Sequence, residues 1–332
     1  MPGLKSLLLL SLATLFTPAF AQQQQAVNPA RPGTLNYVEG QASIDGRQIS
    51  TSSVGHTELE AGQYLATGNG KAELLLTPGI FLRLDDNSTV KMVRPDLTHT
   101  EVSLEQGRAQ VEADQIYPQN TILIDQKNGQ TQILKNGLYE FNAENNTVRT
   151  FDGQARVYPG SNLQSNVKPI ELKGDRQITL TGEAVKTVKF DKNSSQDDLY
   201  KWGSLRSQYL GEANLELASR YADYGPGYGG YGPGWFWDSS FYGYTWLPGD
   251  GLFWNPFGFG FYSPFYLYGG GFVYGHGYYR PGYGIRGGYA SRGGFAHGSV
   301  ASGAFRGGGG GGFNGGGGGF HGGGGGHGGG GR

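Results

Sequence analysis

The chain has 332 residues, a formal net charge of -1 and no cysteine. Disulfide staples, thiolate zinc sites and a lipid-modified N-terminal cysteine are therefore excluded, and nothing in the charge balance calls for a strongly charged partner. The 62 glycines depart from ordinary globular composition and signal that part of the chain follows other rules.

Residues 1–21 have the parts of a secretory signal. Lys5 supplies positive charge, Leu7 to Phe16 a short apolar run, and Ala19-Phe20-Ala21 an A-x-A cleavage site. Cleavage is expected after Ala21, because the run is too short to span a bilayer and no later segment is long and apolar enough to do so. The mature protein is expected to be soluble and extracytoplasmic, in the periplasm, on the bacterial surface or secreted. Residues 22–32 read as a polar, proline-bearing linker.

An all-β domain is expected over residues 33–190, as a rolled or sandwiched antiparallel sheet. A glycine, a polar residue, alanine, a second polar residue and an aliphatic one recur as Gly40 to Ile44, Gly70 to Leu74, Gly107 to Val111 and Gly153 to Val157. Each copy is expected to turn the chain and start a strand whose alanine and aliphatic residue share a face. The intervals are too irregular for a solenoid. The firmest stretch is Tyr64 to Met92, where Lys71 and Glu73 alternate with Ala72 and Leu74. That alternation predicts a wet face and a dry one. Thr77-Pro78-Gly79 supplies a turn, after which Ile80, Leu82 and Leu84 point inward and Phe81 and Arg83 the other way. Gly68-Asn69-Gly70 reads as a hairpin. Further short strands are expected at Thr34 to Val38, Glu101 to Leu104, Thr121 to Ile124, Gln130 to Leu134, Leu138 to Asn142, Val148 to Phe151, Glu171 to Leu172, Gln177 to Leu180 and Val185 to Phe190.

One amphipathic helix is expected over residues 194–220. Ser194 or Ser195 would cap it, with Asp197 and Asp198 in capping-box positions, and Leu199, Trp202, Leu205, Tyr209, Ala213 and Leu217 would form its apolar face. Gly203 and Gly211 weaken such a helix. Its face is expected to dock on the β-domain, with recruitment of a partner as the alternative.

From residue 221 to 332 the chain holds 44 of the 62 glycines and 30 of the 44 aromatic residues. So little aliphatic mass in so much glycine does not offset the ordering entropy of a core, so the segment is expected to be low-complexity, mostly disordered and adhesive through exposed rings. Trp235, Trp237, Trp246 and Trp254 are the rings expected to stay in water.

The chemistry of a reaction site is sparse. His56 and His99 have no second histidine or cysteine at ligand spacing, and neither a G-x-S-x-G elbow nor a phosphate-binding loop occurs. Asp85-Asp86-Asn87 is expected to be a turn rather than a calcium grip. In the tail, His276, His297, His321 and His327 are too scattered for a metal role. Arg286-Gly287-Gly288, Arg292-Gly293-Gly294 and Arg306-Gly307-Gly308 resemble nucleic-acid-binding boxes, but the segment is too weakly basic for nucleic acid to be an expected partner. No catalytic, cofactor-binding or metal residue is assigned, and the chain is not expected to be an enzyme.

Taken together, Leu59 to Gly68, the following AELLLTPGIFLRL, Val90-Lys91-Met92, Val102 to Val111 and Gly137 to Phe141 resemble the bacterial FecR domain over residues 33–158. The resemblance implies an extracytoplasmic all-β module, which in the best-known members lies beyond a membrane helix and a cytoplasmic anti-sigma segment and reads an iron-siderophore receptor. This sequence departs from that plan in having a cleavable signal, no cytoplasmic segment and no second span, so iron signalling is not carried over. Asp197 to Trp202, Tyr231-Gly232-Pro233-Gly234-Trp235 and Pro248-Gly249-Asp250-Gly251 look similar to envelope proteins that fuse a FecR domain to an aromatic, glycine-rich C-terminus. The expected function is that of a non-enzymatic envelope or secreted protein, a FecR-type interaction domain with a multivalent adhesive tail. Its partner would be an envelope protein or glycan, or a second copy of the chain through the tail. The alternative is an extracytoplasmic sensor or regulatory component acting through a separate membrane protein.

Overall fold

The computed structural model describes residues 30–181, 186–223 and 233–268, all within one unit, Met1–Gly275. The segment read as a secretory signal, most of the segment read as a linker, and residues 269–332 with the four histidines and the arginine-glycine boxes lie outside the described residues.

Turn chemistry sets the first strands. β1 (Leu35–Ile44) and β2 (Arg47–Ile49) are joined by Asp45-Gly46, both at positive φ, 48° and 76°, the signature of a two-residue hairpin turn. β3 (Tyr64–Thr77) and β4 (Ile80–Leu84) pair antiparallel across Thr77-Pro78-Gly79, where Gly79 takes a φ of 85°. Then come β5 (Thr89–Pro95), β6 (His99–Gln106), β7 (Arg108–Ala113), β8 (Thr121–Gln126), β9 (Gly129–Ile133), β10 (Gly137–Asn142), β11 (Thr147–Asp152), β12 (Gln154–Pro159), β13 (Ile170–Lys173), β14 (Arg176–Thr179) and β15 (Val188–Lys189). Every strand expected between Thr34 and Phe190 is present, though residues 182–185 lie outside the described set.

The ladder runs β13-β12-β9-β8-β6-β5-β3-β4-β7-β10-β11-β14-β15, with β1 on the other edge of β3 and β2 on β1. It is one sheet folded on itself at β3, whose first half pairs with β5 and second half with β4. Two leaves result. The glycine-alanine pattern marks their corners, which corrects the expectation that each copy starts a strand. Gly107 and Gly153, at φ of 72° and 96°, do open β7 and β12, carrying the chain from one leaf to the other. Gly40 and Gly70 lie inside β1 and β3, directly paired, where the strands bend without ending. For the same reason Gly68-Asn69-Gly70 is no hairpin. Backbones touch there: a Cβ on Gly70 would stand 2.3 Å from the Glu39 carbonyl oxygen, so only glycine fits.

The alanine and aliphatic residues of all four copies, Ala42 and Ile44, Ala72 and Leu74, Ala109 and Val111, Ala155 and Val157, meet in one core between the leaves. Each large aliphatic buried there contributes about 1.5–3 kcal/mol. One pair of strands departs from the antiparallel expectation. β6 and β8 are parallel, because β7 crosses to the far leaf and provides the long connection that parallel pairing needs.

α1 (Asp198–Asp223) starts later than expected. Asp197, not Ser194 or Ser195, is its cap, its Oδ1 accepting the Tyr200 backbone N–H at 3.1 Å. No helix among the described residues is long and apolar enough to cross a membrane.

The largest correction concerns residues 233–268, expected to be disordered. They form β16 (Gly234–Asp238) and β17 (Gly243–Leu247), a hairpin, then β18 (Leu252–Trp254) and β19 (Gly260–Tyr262), a second hairpin, and a short helix α2 (Pro264–Tyr268). Together with α1 they cover the outer face of the leaf containing β4, β7 and β10. The segment needs no core of its own, because Trp246 and Phe261 enter one it shares with Leu75, Phe81 and Leu210, while Leu247 packs on Leu217 and Ala218 of α1.

Candidate interaction surface

The outward side chains of the covered leaf are Glu73, predicted to be wet, Arg83, predicted to point away from the core, and Gln110, Glu112 and Asp114 of β7 and its end, and all five are buried. Strand alternation gives their direction, as expected, but α1 and the C-terminal hairpins lie on top. Arg83 is the hub. Its Nε donates to Glu73 Oε2 at 2.8 Å, its Nη1 to Glu112, and its Nη2 to Ser207 Oγ of α1 at 3.0 Å. Ser207 donates its own proton to Glu112. Arg206 Nη2 reaches Glu73 Oε1 at 2.9 Å, and Asn255, just after β18, donates to Glu112 Oε1 at 2.9 Å. Two guanidiniums thus face two carboxylates.

Burial alone would raise the Glu73 carboxyl, but Arg206 and Arg83 outweigh it and hold it below the ordinary range. Burial would lower the Arg83 guanidinium, yet Glu112 and Glu73 push it up. Asp114 lacks such a partner. Burial raises its carboxyl well above the usual value and the neighbouring Glu112 adds to the effect. A second set pins the start of α1: Arg108 Nη2 lies 2.5 Å from Asp197 Oδ2, and Arg149 Nη1 3.0 Å from Glu140 Oε1.

Asparagine side chains complete the attachment. Asn36 of β1 receives the Tyr244 N–H at 2.6 Å and donates to the Tyr244 carbonyl at 3.0 Å, standing in for a neighbouring strand. Asn214 of α1 does the same between the two hairpins, accepting from Tyr262 N at 2.6 Å and donating to the Trp246 carbonyl at 2.9 Å. The hydrogen bonds that Glu73, Arg83 and Glu112 make to Arg206, Ser207 and Asn255 join one part of the chain to another, while the Gln110 and Asp114 side chains have no hydrogen-bond partner among the described residues.

The C-terminal segment leaves several aromatic rings exposed. Trp254 and Phe265 are each 64% exposed and Tyr268 is 51% exposed on the second hairpin and α2, and Tyr242 at the tip of the first hairpin is 74% exposed. A shallow groove of about 440 Å³ lies elsewhere, between Arg31-Pro32, Glu58 to Ala61 and Pro95 to Leu97.

Comparison with protein-family models and with curated proteins gives no match. Two solved structures of an anti-sigma-factor candidate from Parabacteroides distasonis are similar to part of the fold, at 11% and 13% identity and TM-scores of 0.33 and 0.32. Each alignment covers 40% of this chain and 62% of the other, so this chain spans less than two thirds of their length.

The four tryptophans expected in water are separated by the fold. Trp246 is fully buried. Trp235 meets the Phe81 ring edge-on at 4.9 Å, and Trp237 meets Tyr244 at 5.2 Å. Trp254 alone projects. His56 follows Gly55, which lies against the Trp237 ring, and His99 stands 3.5 Å from Glu101. Asp85 and Asp86 face Lys71 at 2.6 and 3.8 Å, and among the described residues no group of three His, Cys, Asp or Glu side chains is placed to hold a metal. The attachment residues Asn36, Ser207, Asn214 and Asn255 were not singled out in the sequence. A lone asparagine carries no periodic signal, and each one acts across a long separation in the chain.

Proposed function

We propose that the chain is an exported, non-enzymatic binding protein of the bacterial envelope, a FecR-type β-module whose C-terminal segment presents aromatic rings to an envelope protein or glycan. The observation that carries this reading is the exposure of Trp254, Phe265 and Tyr268, at 64%, 64% and 51%, on the second hairpin and α2, which are otherwise packed into the fold. Large rings held in water by an ordered frame gain from a partner without first losing conformational freedom. The cleavable signal supports export.

Replacing Trp254, Phe265 and Tyr268 together by serine is expected to release the protein from sedimented envelope fractions while its melting temperature stays within about 2 °C. Trp246→Ser, by contrast, is expected to lower stability by about 3–5 kcal/mol. Undiminished retention of the triple variant would sink the reading.

A further inference from the structure

The second C-terminal hairpin carries a flat ring that the fold leaves uncovered. Trp254 stands opposite Gly260, and Leu252 opposite Tyr262. Trp254 and Tyr262 therefore share the face away from Phe253 and Phe261, the two rings that lie against Trp246 at 5.2 and 5.5 Å. Gly260 has no side chain to lay over the indole. The Tyr262 ring folds back toward Gly260, with Cε2, Cζ and Oη 3.0–3.1 Å from where a Gly260 Cβ would stand, and it also packs against the cluster of Leu217, Ala218 and Leu247. Tyr266 continues the line, its ring 6.2 Å from that of Tyr262.

The frame beneath is fixed. Asn255 Oδ1 accepts the N–H groups of Phe257 at 3.1 Å and Phe259 at 2.8 Å, and its Nδ2 is tied to the buried Glu112. From Gly251 to Tyr268 the sequence has no charged residue.

We propose that Trp254, with Tyr262 and Tyr266 beside it, is a stacking platform for a neutral β-linked pyranose chain. The proposal rests on the envelope-binding reading and names its ligand class. An all-equatorial pyranose turns a flat set of C–H groups outward, polarised by the neighbouring oxygens, and these meet the negative face of an aromatic ring. Its hydroxyls lie at the rim, where the tyrosine hydroxyls give them polar partners. An uncharged strip suits an uncharged ligand, whereas membrane-surface segments pair such rings with Lys and Arg.

The test titrates the full chain with cellohexaose, read by calorimetry and by tryptophan fluorescence. Saturable binding is expected. It should weaken about tenfold or more in Trp254→Ala and stay within about threefold in Trp254→Phe. No binding by the parent protein, or equal affinity in Trp254→Ala, overturns the proposal. So does binding of phosphatidylcholine vesicles in place of cellohexaose. If Trp254-dependent envelope retention persists while cellohexaose does not bind, the glycan assignment alone falls. If envelope retention survives loss of all three exposed rings, the broader reading falls with it.

Discussion

Asp114 is the residue at which charge and burial are least reconciled. It sits fully inside, beside Glu112, at the end of a row whose two arginines are already engaged by Glu73 and Glu112. Burial and the neighbouring Glu112 hold its carboxyl above the ordinary range in the folded protein, while in the unfolded chain it titrates near about 3.9. For an acid raised in the folded state, the stabilising contribution is complete below the unfolded value and is lost as pH rises through the folded one. Asp114→Asn keeps the shape and removes the titration. Its urea midpoint is expected to fall less than the parent's as pH rises above about 4, and an identical fall would show that Asp114 is not the group that titrates. Asp125, which burial raises to about 6 with Glu101 adding to the shift, contributes a slope of the same sign in both proteins. The alternation of Glu73 and Arg83 with Ala72 and Leu82 was legible and correctly gave their direction. What covers that face was not, since strand periodicity reports a side and not what lies on it.

At the scale of the element, α1 shows why two glycines that weaken a helix are not equivalent. A Cβ on Gly211 would meet the Gly260 carbonyl oxygen and Phe259 Cβ at 3.4 Å, which is ordinary contact. A Cβ on Gly203 would stand 2.3 Å from Gln110 Oε1 and 3.4 Å from Phe257, at a place where Gln110 is buried and has nowhere to retreat. Gly211→Ala is expected to raise stability by about 1 kcal/mol, the helix-propensity difference. Gly203→Ala is expected to lose that gain and more. Urea melts of the two variants check both signs, and a stabilised Gly203→Ala would mean that the helix rides higher above β7 than described. The C-terminal hairpins were misread for a related reason. Trp246, Leu247 and Phe261 stand among glycines and prolines, so no local window holds an apolar stripe. Their partners Leu75, Phe81, Leu210 and Leu217 belong to elements far back in the chain.

For the molecule as a whole, the described ordered structure includes residues 233–268, past the boundary expected near residue 221. Limited proteolysis is expected to leave a resistant fragment that retains Phe261 and Tyr262, because Asn36 and Asn214 tie the segment into β1 and α1. Accumulation of a stable fragment ending near Arg220 would show instead that the hairpins detach easily. The β-roll was readable from turn pairs such as Asp45-Gly46 and from alternating strands. The cover was not, because it is a set of distant contacts.

The charged row under that cover also has a bearing on how the protein is made. Glu73, Arg83 and Glu112 leave the ribosome, and on the export reading cross the membrane, well before Trp246 and Phe261. During that interval the outer face of the leaf is bare. A purely apolar face would then invite neighbouring nascent chains to aggregate, whereas carboxylates and a guanidinium remain hydrated until the last hairpins arrive. The ion pairs add little net stability once sealed, but their polarity keeps the unfinished chain from sticking before its final segment is in place.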